Sequence, residues 1–154
     1  AELEAVCHVE APDTQVITSA GALVDSLKAI GTKRVSFITP YMKGLTELVA
    51  GYIENEGIKV KDTISLEIPN NLEVGAQDPK NLIEIVKRLD TSKVDAVVLS
   101  ACVQMPSLSA LAEVQKSFDV PVLSTAAATV FRILKALKLP TVVPDAGELL
   151  SGKY

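Results

Sequence analysis

The chain has 154 residues, about the length of one ordinary domain. Hydrophobic residues make up 48% of it and charged residues 22%, which excludes a disordered polymer and is typical of a globular domain with buried strands. Apolar runs such as residues 96–99 are far shorter than the ~20 residues of a membrane span, so we expect no membrane partner. The net charge is −4 and no basic stripe is present, so we expect no nucleic-acid partner either.

The chain contains two cysteines, Cys7 and Cys102, and one histidine, His8. These are too few for a disulfide framework or a zinc site, and we expect no metal. The sequence contains no signal-peptide pattern, which would be a basic start followed by an apolar segment. A reducing, cytoplasmic compartment is therefore the expected location. The sequence starts without Met, and residues 1–18 resemble the end of a helix followed by a loop. We interpret them as a lead-in from a longer protein.

From Ser19 onward, segments in which apolar residues have the spacing of helices alternate with segments typical of strands. In chain order, the predicted elements are a helix capped by Thr18 or Ser19 and stopped at Gly31, a strand at 34–39, a helix over 45–53, a strand over 58–68, a long loop over 69–79, a helix over 82–89 opened by Asp78, a strand over 94–100, a helix over 108–118, a strand over 120–123 and a helix over 130–137.

Four strands that alternate with helices require right-handed crossover connections. The sequence therefore predicts an α/β fold, an open parallel four-stranded sheet with helices on both faces, of the Rossmann or flavodoxin type. We expect this lobe to span residues 19–140. Residues 94–100 are nearly all apolar, which predicts a central strand buried on both faces.

Ligands of such sheets bind beyond the carboxyl ends of the strands, so the residues that follow each strand are the informative ones. They are polar and uncharged, which suits a small anion held by hydroxyl, amide and helix N-terminal N–H groups. In this sequence they are Thr39, Pro40, Tyr41, Asn70, Asn71, Ser100, Ala101, Cys102, Val103, Gln104, Ser124 and Thr125.

Cys102 follows the buried strand and precedes Pro106, where the next helix is predicted to begin. A thiol near a helix N-terminus is biased toward thiolate, although a cysteine here can also be a small buried hydrophobe. Cys7 lies beside His8, but adjacent side chains do not face each other, so we interpret Cys7 as an incidental thiol and His8 as a solvated residue.

Tyr41 is either a packing aromatic or a hydroxyl that points into the cleft, and Asn70 and Asn71 are turn residues by default. Two classes of function remain open at this point. One is a thiol-dependent enzyme for a small carboxylate. The other is a flavodoxin-type binding module, which lacks support because the sequence has no glycine-rich phosphate-binding motif.

Three segments carry a family resemblance: VDAVVLSACVQMPSLS at 94–109, TSAGALVDSLKAIGTKRVSFITPYMK at 18–43 and LEIPNNLEVG at 66–75. From about residue 14 onward the chain resembles the maleate cis-trans isomerases of the aspartate/glutamate racemase superfamily. That resemblance implies two similar α/β lobes, each contributing one cysteine to a cleft between them. It also implies that this chain is the second lobe, that the first lobe is missing, and that residues 141–154 are a tail packing on the partner lobe.

By this resemblance Cys102 is the second-lobe catalytic cysteine, and Tyr41, Asn71 and the N–H groups around Val103 and Gln104 bind the substrate. The implied reaction converts maleate to fumarate without a cofactor. A first-lobe thiolate adds to the alkene, and Cys102 donates and accepts a proton. The alternative is a racemase or decarboxylase of the same superfamily, acting at a carbon next to a carboxylate. A small dicarboxylate is the expected substrate, and a homo-oligomer the expected assembly.

Overall fold

The computed structural model describes residues 2–154, which form one parallel sheet surrounded by helices. In chain order the elements are α1 (Glu2–Glu10), α2 (Ser19–Ala29), β1 (Arg34–Thr39), α3 (Lys43–Asn55), β2 (Lys59–Ser65), α4 (Asn71–Gly75), α5 (Asn81–Ile85), a 3₁₀ turn (Val86–Arg88), β3 (Ala96–Ser100), α6 (Leu108–Gln115), β4 (Val122–Ser124), α7 (Thr125–Ala136) and a second 3₁₀ turn (Glu148–Leu150).

The four strands lie in the order β2-β1-β3-β4, and every neighbouring pair is parallel. All five residues of β3 are buried, as are all residues of β1 after Arg34. Because alternate residues of a strand point to opposite faces, the central strands are covered on both sides. The predicted α/β class and the open four-stranded parallel sheet are therefore confirmed.

The chain beyond β2 differs from the predicted strand over 58–68, because β2 ends at Ser65. Glu67 has a positive φ of 53°, which turns the backbone out of the extended conformation. Three backbone N–H groups, those of residues 66–68, then donate to the carbonyls of residues 39–41. The end of β2 is thereby tied to the segment that follows β1.

The predicted loop over 69–79 contains a short helix, α4, whose N-cap is Asn70. The Asn70 side-chain oxygen accepts a hydrogen bond of 2.8 Å from the N–H of Leu72, which is how Asn starts a helix within a polar segment. Asp78 lies before the next helix and accepts from the N–H of Lys80 at 2.9 Å. The predicted helix over 82–89 is α5 followed by a 3₁₀ turn, so only its first part is α-helical.

The last predicted strand and helix are displaced relative to the prediction. Strand β4 is Val122–Ser124, and α7 begins immediately afterwards at Thr125 rather than near residue 130. The cause is local, because the Ser124 side chain accepts from the N–H of Ala127 and caps the helix at the strand end. The helix predicted over 108–118 ends at Gln115.

The two terminal segments have structure of their own. Helix α1 occupies Glu2–Glu10, and His8 is half-buried on its surface, with its ring nitrogen Nε2 2.9 Å from the carbonyl oxygen of Thr14. In the segment after Pro140, Ala146, Leu149 and Leu150 are buried in the core of this same lobe. The contact of residues 141–154 with a partner lobe, and the role of residues 1–18 as a lead-in, stay predictions.

Gly147 provides a test of how the C-terminal segment is anchored. Its φ is +84°, and an added Cβ would lie 3.1 Å from the carbonyl oxygen of Val122 in β4. We expect Gly147→Ala to lower the free energy of unfolding by about 1–3 kcal/mol, since it combines backbone strain with a close contact to rigid backbone. Urea denaturation of the chain measures this.

Gly51 is the matched control, because it lies inside α3 and an added Cβ would have no neighbour within 4 Å. Gly51→Ala should raise stability by about 0.5–1 kcal/mol, the ordinary gain from replacing a helical glycine. A Gly147→Ala variant as stable as the parent would show that this turn does not anchor the segment.

Candidate active site

A cavity of about 500 Å³ lies beyond the carboxyl ends of β1, β3 and β4. Its walls come from α2, α3 and the segments that follow the three strands. Four of the five predicted site residues line it, namely Tyr41, Cys102, Val103 and Gln104. The cavity therefore lies at the strand ends, where the sequence predicts a ligand site.

Cys102 is buried at the wall of this cavity, with 6% of its surface exposed. The hydroxyl of Ser100 donates to the carbonyl of Cys102 at 2.8 Å and accepts from the N–H of Cys102 at 3.4 Å. These two hydrogen bonds fix the turn at which the chain leaves β3. The helix predicted to begin at Pro106 begins at Leu108, so Cys102 lies in a loop several residues before α6.

Tyr41 is half-buried and lines the same cavity. Burial raises the pKa of the Tyr41 hydroxyl well above its usual value, and hydrogen bonding and charge interaction with Cys102 raise this pKa further. The hydroxyl therefore remains protonated at neutral pH and acts as a hydrogen-bond donor. Its backbone is held by the N–H of Glu67, which donates to the Tyr41 carbonyl at 3.2 Å.

Asn71 is placed at the edge of the site rather than in the cavity wall. It is exposed and is the first residue of α4. The side-chain amide of Gln104 donates to the Asn71 carbonyl at 2.5 Å, which ties the loop after β3 to α4. This contact occupies one N–H of the Gln104 side chain, while the Asn71 amide remains at the rim. Substrate binding by Asn71, Val103 and Gln104 stays a prediction.

Three hydroxyls behind Tyr41 hold the ends of β1 and β2 against α3. The Thr39 and Thr46 hydroxyl oxygens lie 2.7 Å apart, and the Ser65 hydroxyl donates to that of Thr46 at 2.8 Å. Thr39 and Thr46 are buried, whereas Ser65 is half-buried. The network ties the strand end that precedes Tyr41 to α3 and β2.

The cavity is neutral in its side chains, because no lysine or arginine lines it among the residues that the structure describes. Sequence reasoning missed two polar lining residues, Ser19 and Tyr52. Ser19 was assigned only as a possible cap and Tyr52 only to an apolar helix face. Thr125 also lines the cavity, and it is one of the polar residues expected at the strand ends.

Within the described residues, no group of three or more His, Cys, Asp or Glu side chains is arranged to hold a metal ion. None of the helices found over residues 2–154 has the length and hydrophobicity that crossing a bilayer demands. Both cysteines are free thiols: Cys102 is buried, whereas Cys7 is half-buried on α1 and lies outside the cavity.

The sequence profile of arylmalonate decarboxylase matches residues 2–150. The match covers nearly the whole chain, so the chain belongs to the arylmalonate decarboxylase family. The chain is also similar to enzymes named maleate isomerase. It is 63% identical over 139 residues to the maleate isomerase of Geobacillus stearothermophilus, an alignment that covers 90% of this chain and 55% of the relative.

Solved structures agree. The maleate isomerase Iso from Pseudomonas putida S16, solved as a cysteine-to-alanine variant with maleate, superimposes with a TM-score of 0.93 at 52% identity, covering 99% of this chain and 61% of that chain. A cysteine-to-serine variant of the Nocardia farcinica maleate cis-trans isomerase, with a covalently bound succinylcysteine intermediate, superimposes at 0.92 and 39% identity, covering 99% and 64%. The resemblance to maleate isomerases is confirmed. The chain spans about half the length of the curated relatives that it matches.

Ser100 offers a test of how Cys102 is positioned. Ser100→Ala removes both hydrogen bonds to the Cys102 backbone, so we expect a loss of about 1–3 kcal/mol in the free energy of unfolding. We also expect faster alkylation of Cys102 by iodoacetamide, because the turn that buries the thiol is loosened.

The control is Ser109→Ala, which changes an exposed serine on α6 and should alter neither quantity. Peptide mapping separates the labelling of Cys102 from that of Cys7. Equal Cys102 labelling rates in the parent and in Ser100→Ala would contradict a positioning role for Ser100.

Proposed function

We propose that this chain is the second lobe of a two-lobed isomerase that converts maleate to fumarate, with Cys102 as its catalytic cysteine. The observation that carries the proposal is the meeting of Cys102 and Tyr41 at one cavity beyond the strand ends. Similarity to maleate isomerases over about 90% of the chain supports the substrate and the reaction type.

The reaction that we propose needs two thiols. A thiolate of the first lobe forms a C–S bond to one alkene carbon, and the π electrons move to the other carbon and its carboxylate. The Cys102 thiol protonates that carbon, which gives a succinyl thioether with a freely rotating single bond. After rotation Cys102 removes the proton, the C–S bond breaks, and fumarate leaves. Electrons balance without an external oxidant or reductant.

The surroundings of Cys102 suit these steps. Addition next to a carboxylate develops negative charge on the carboxylate oxygens, and a protonated Tyr41 hydroxyl stabilises that charge by donating a hydrogen bond. The cavity wall includes the apolar side chains of Leu23, Val49 and Ile53, which lower the local dielectric and strengthen such a bond. In this proposal Asn71, whose carbonyl accepts from Gln104, and the N–H groups around Val103 anchor the second carboxylate.

The first lobe and further subunits are the proposed partners. Leu3, Val6 and Val9 are exposed at successive turns of α1, and Val130, Ile133 and Leu137 are exposed along α7. Such apolar stripes are covered in stable proteins. We propose that the first lobe covers one of them and that copies of the protein associate through the other. A cytoplasmic location suits the mechanism, since both thiols must stay reduced.

A decarboxylase is the second candidate, because the profile that matches the chain is that of arylmalonate decarboxylase. Both reactions pass through negative charge next to a carboxylate, so the same cavity serves either. Proton NMR in deuterated water separates them. An isomerase converts the maleate vinyl signal to that of fumarate, whereas a decarboxylase releases carbon dioxide from a malonate and deuterates the remaining carbon.

Cys102→Ser tests the catalytic assignment. In the two-lobed protein we expect the rate of maleate isomerisation to fall by about 100- to 10,000-fold, because a hydroxyl is a far weaker acid than a thiol and transfers the proton poorly. Fumarate formation followed by NMR measures the rate, and circular dichroism checks that the fold is kept.

Cys7→Ser is the matched control, since Cys7 lies on α1 outside the cavity. This variant should keep the parental rate. Parental turnover in Cys102→Ser, or an equal loss in Cys7→Ser, would overturn the assignment of Cys102.

Tyr41→Phe tests the proposed donor. Removing the hydroxyl should lower kcat by about 10- to 1000-fold, because the transition state loses a hydrogen bond at the developing charge. The raised pKa of Tyr41 keeps its hydroxyl protonated in alkaline solution. The ratio of parental to variant kcat should therefore stay constant up to about pH 10.5, where an ordinary tyrosine is mostly ionised.

Tyr154→Phe is the control for this experiment, because the Tyr154 hydroxyl donates to Glu148 in the C-terminal segment, away from the cavity. It should leave kcat unchanged. A ratio that falls toward one with a midpoint near the ordinary tyrosine pKa would contradict the buried environment of Tyr41, and an unchanged kcat in Tyr41→Phe would remove it from the mechanism.

A further inference from the structure

Thr125 is a buried polar residue at the cavity that the mechanism above does not use. It is the first residue of α7, only 3% of its surface is exposed, and it lines the same cavity as Cys102. Its hydroxyl has no hydrogen-bond partner in the structure. A buried hydroxyl without a partner is destabilising, so a ligand that supplies the partner gains affinity from it.

The surroundings of Thr125 favour an anionic partner. Helix α7 has twelve residues, and its N-terminus carries the partial positive charge of the helix dipole. Ser124 caps only one of the first-turn N–H groups, that of Ala127. The other first-turn N–H groups have no partner inside the helix, which is the usual basis for holding a carboxylate or phosphate.

Comparison with the other unpaired hydroxyls sets Thr125 apart. In the described part of the chain, buried side-chain hydroxyls without a partner also occur in Ser26 and Thr32, and neither residue lines the cavity. Thr32 is also a buried threonine, but it lies in the turn between α2 and β1. The coincidence of an unpaired hydroxyl, a helix N-terminus and the cavity is therefore specific to Thr125.

We infer that Thr125 is a further substrate-positioning residue, whose hydroxyl donates a hydrogen bond to one carboxylate of a dicarboxylate bound beside Cys102. The inference rests on the proposed function and extends it to the third strand end of the cavity. Threonine in a helix occupies two χ1 rotamers, so the hydroxyl turns toward the ligand without movement of the backbone. The carboxylate then lies between α7 and the loop that carries Cys102.

Thr125→Val tests this, because valine keeps the branched shape and removes only the hydroxyl. In the two-lobed protein we expect the KM for maleate to rise about 10- to 100-fold, the loss of one hydrogen bond to a charged group, with a smaller change in kcat. The melting temperature without ligand should stay the same or rise, since an unpaired buried hydroxyl is removed.

Two further variants separate binding from packing. Thr125→Ser keeps the hydroxyl and should keep the KM within about twofold of the parent, since its donor is retained. Thr32→Val removes another buried, unpaired hydroxyl away from the cavity, so it should change the melting temperature in the same direction as Thr125→Val does and leave KM unchanged. A parental KM in Thr125→Val, or a Thr125→Ser variant as impaired as Thr125→Val, overturns the inference.

Failure of the proposed function is distinguishable from failure of the inference. If the parent protein does not isomerise maleate, the proposed function fails, and calorimetric titration with succinate tests Thr125 by itself. Weaker succinate binding in Thr125→Val than in the parent and in Thr32→Val supports the positioning role. Equal affinities, or no binding of succinate to the parent, overturn it.

Discussion

The pairing of β1 with β3 is the constraint on which the candidate site depends. These strands are adjacent and parallel, and the hydrogen bonding between them continues one residue beyond the end of β3, where the N–H of Ala101 donates to the carbonyl of Ile38 at 2.8 Å. Tyr41 follows Ile38 by three residues and Cys102 follows Ala101 directly. The register of two buried strands therefore brings a hydroxyl and a thiol from distant parts of the sequence to one cavity.

Hydrogen bonds between uncharged groups hold the segments that carry Tyr41 and Cys102. Ser100 fixes the turn at Cys102, the N–H of Glu67 holds the Tyr41 carbonyl, and Gln104 ties the loop after β3 to α4. Ordered donors in a partly dry cavity stabilise developing negative charge more than the same groups in water, because they need no reorganisation.

Much of the fold was predictable because its signals are local. The nearly all-apolar run over 94–100 predicts β3, and the residues after it include Cys102. The start of α7 was not predictable from periodicity, since its first turn is small and polar and its position depends on the Ser124 cap. The same error hid the place of Thr125 as the first residue of α7, although Thr125 was among the polar residues expected at the strand ends. The link between Gln104 and Asn71 joins residues 33 apart in sequence, and no local pattern encodes it.

The measurement that tests the account most directly is proton NMR of maleate mixed with the 154-residue chain alone and, in parallel, with the same chain joined to a first lobe. The proposed isomerisation needs one thiol on each side of a planar diacid, and Cys102 lines the cavity of this chain. We predict that fumarate appears only in the two-lobed sample. Formation of fumarate by the monomeric 154-residue chain at an ordinary enzymatic rate, roughly 1 to 1000 per second, would contradict the two-lobe account.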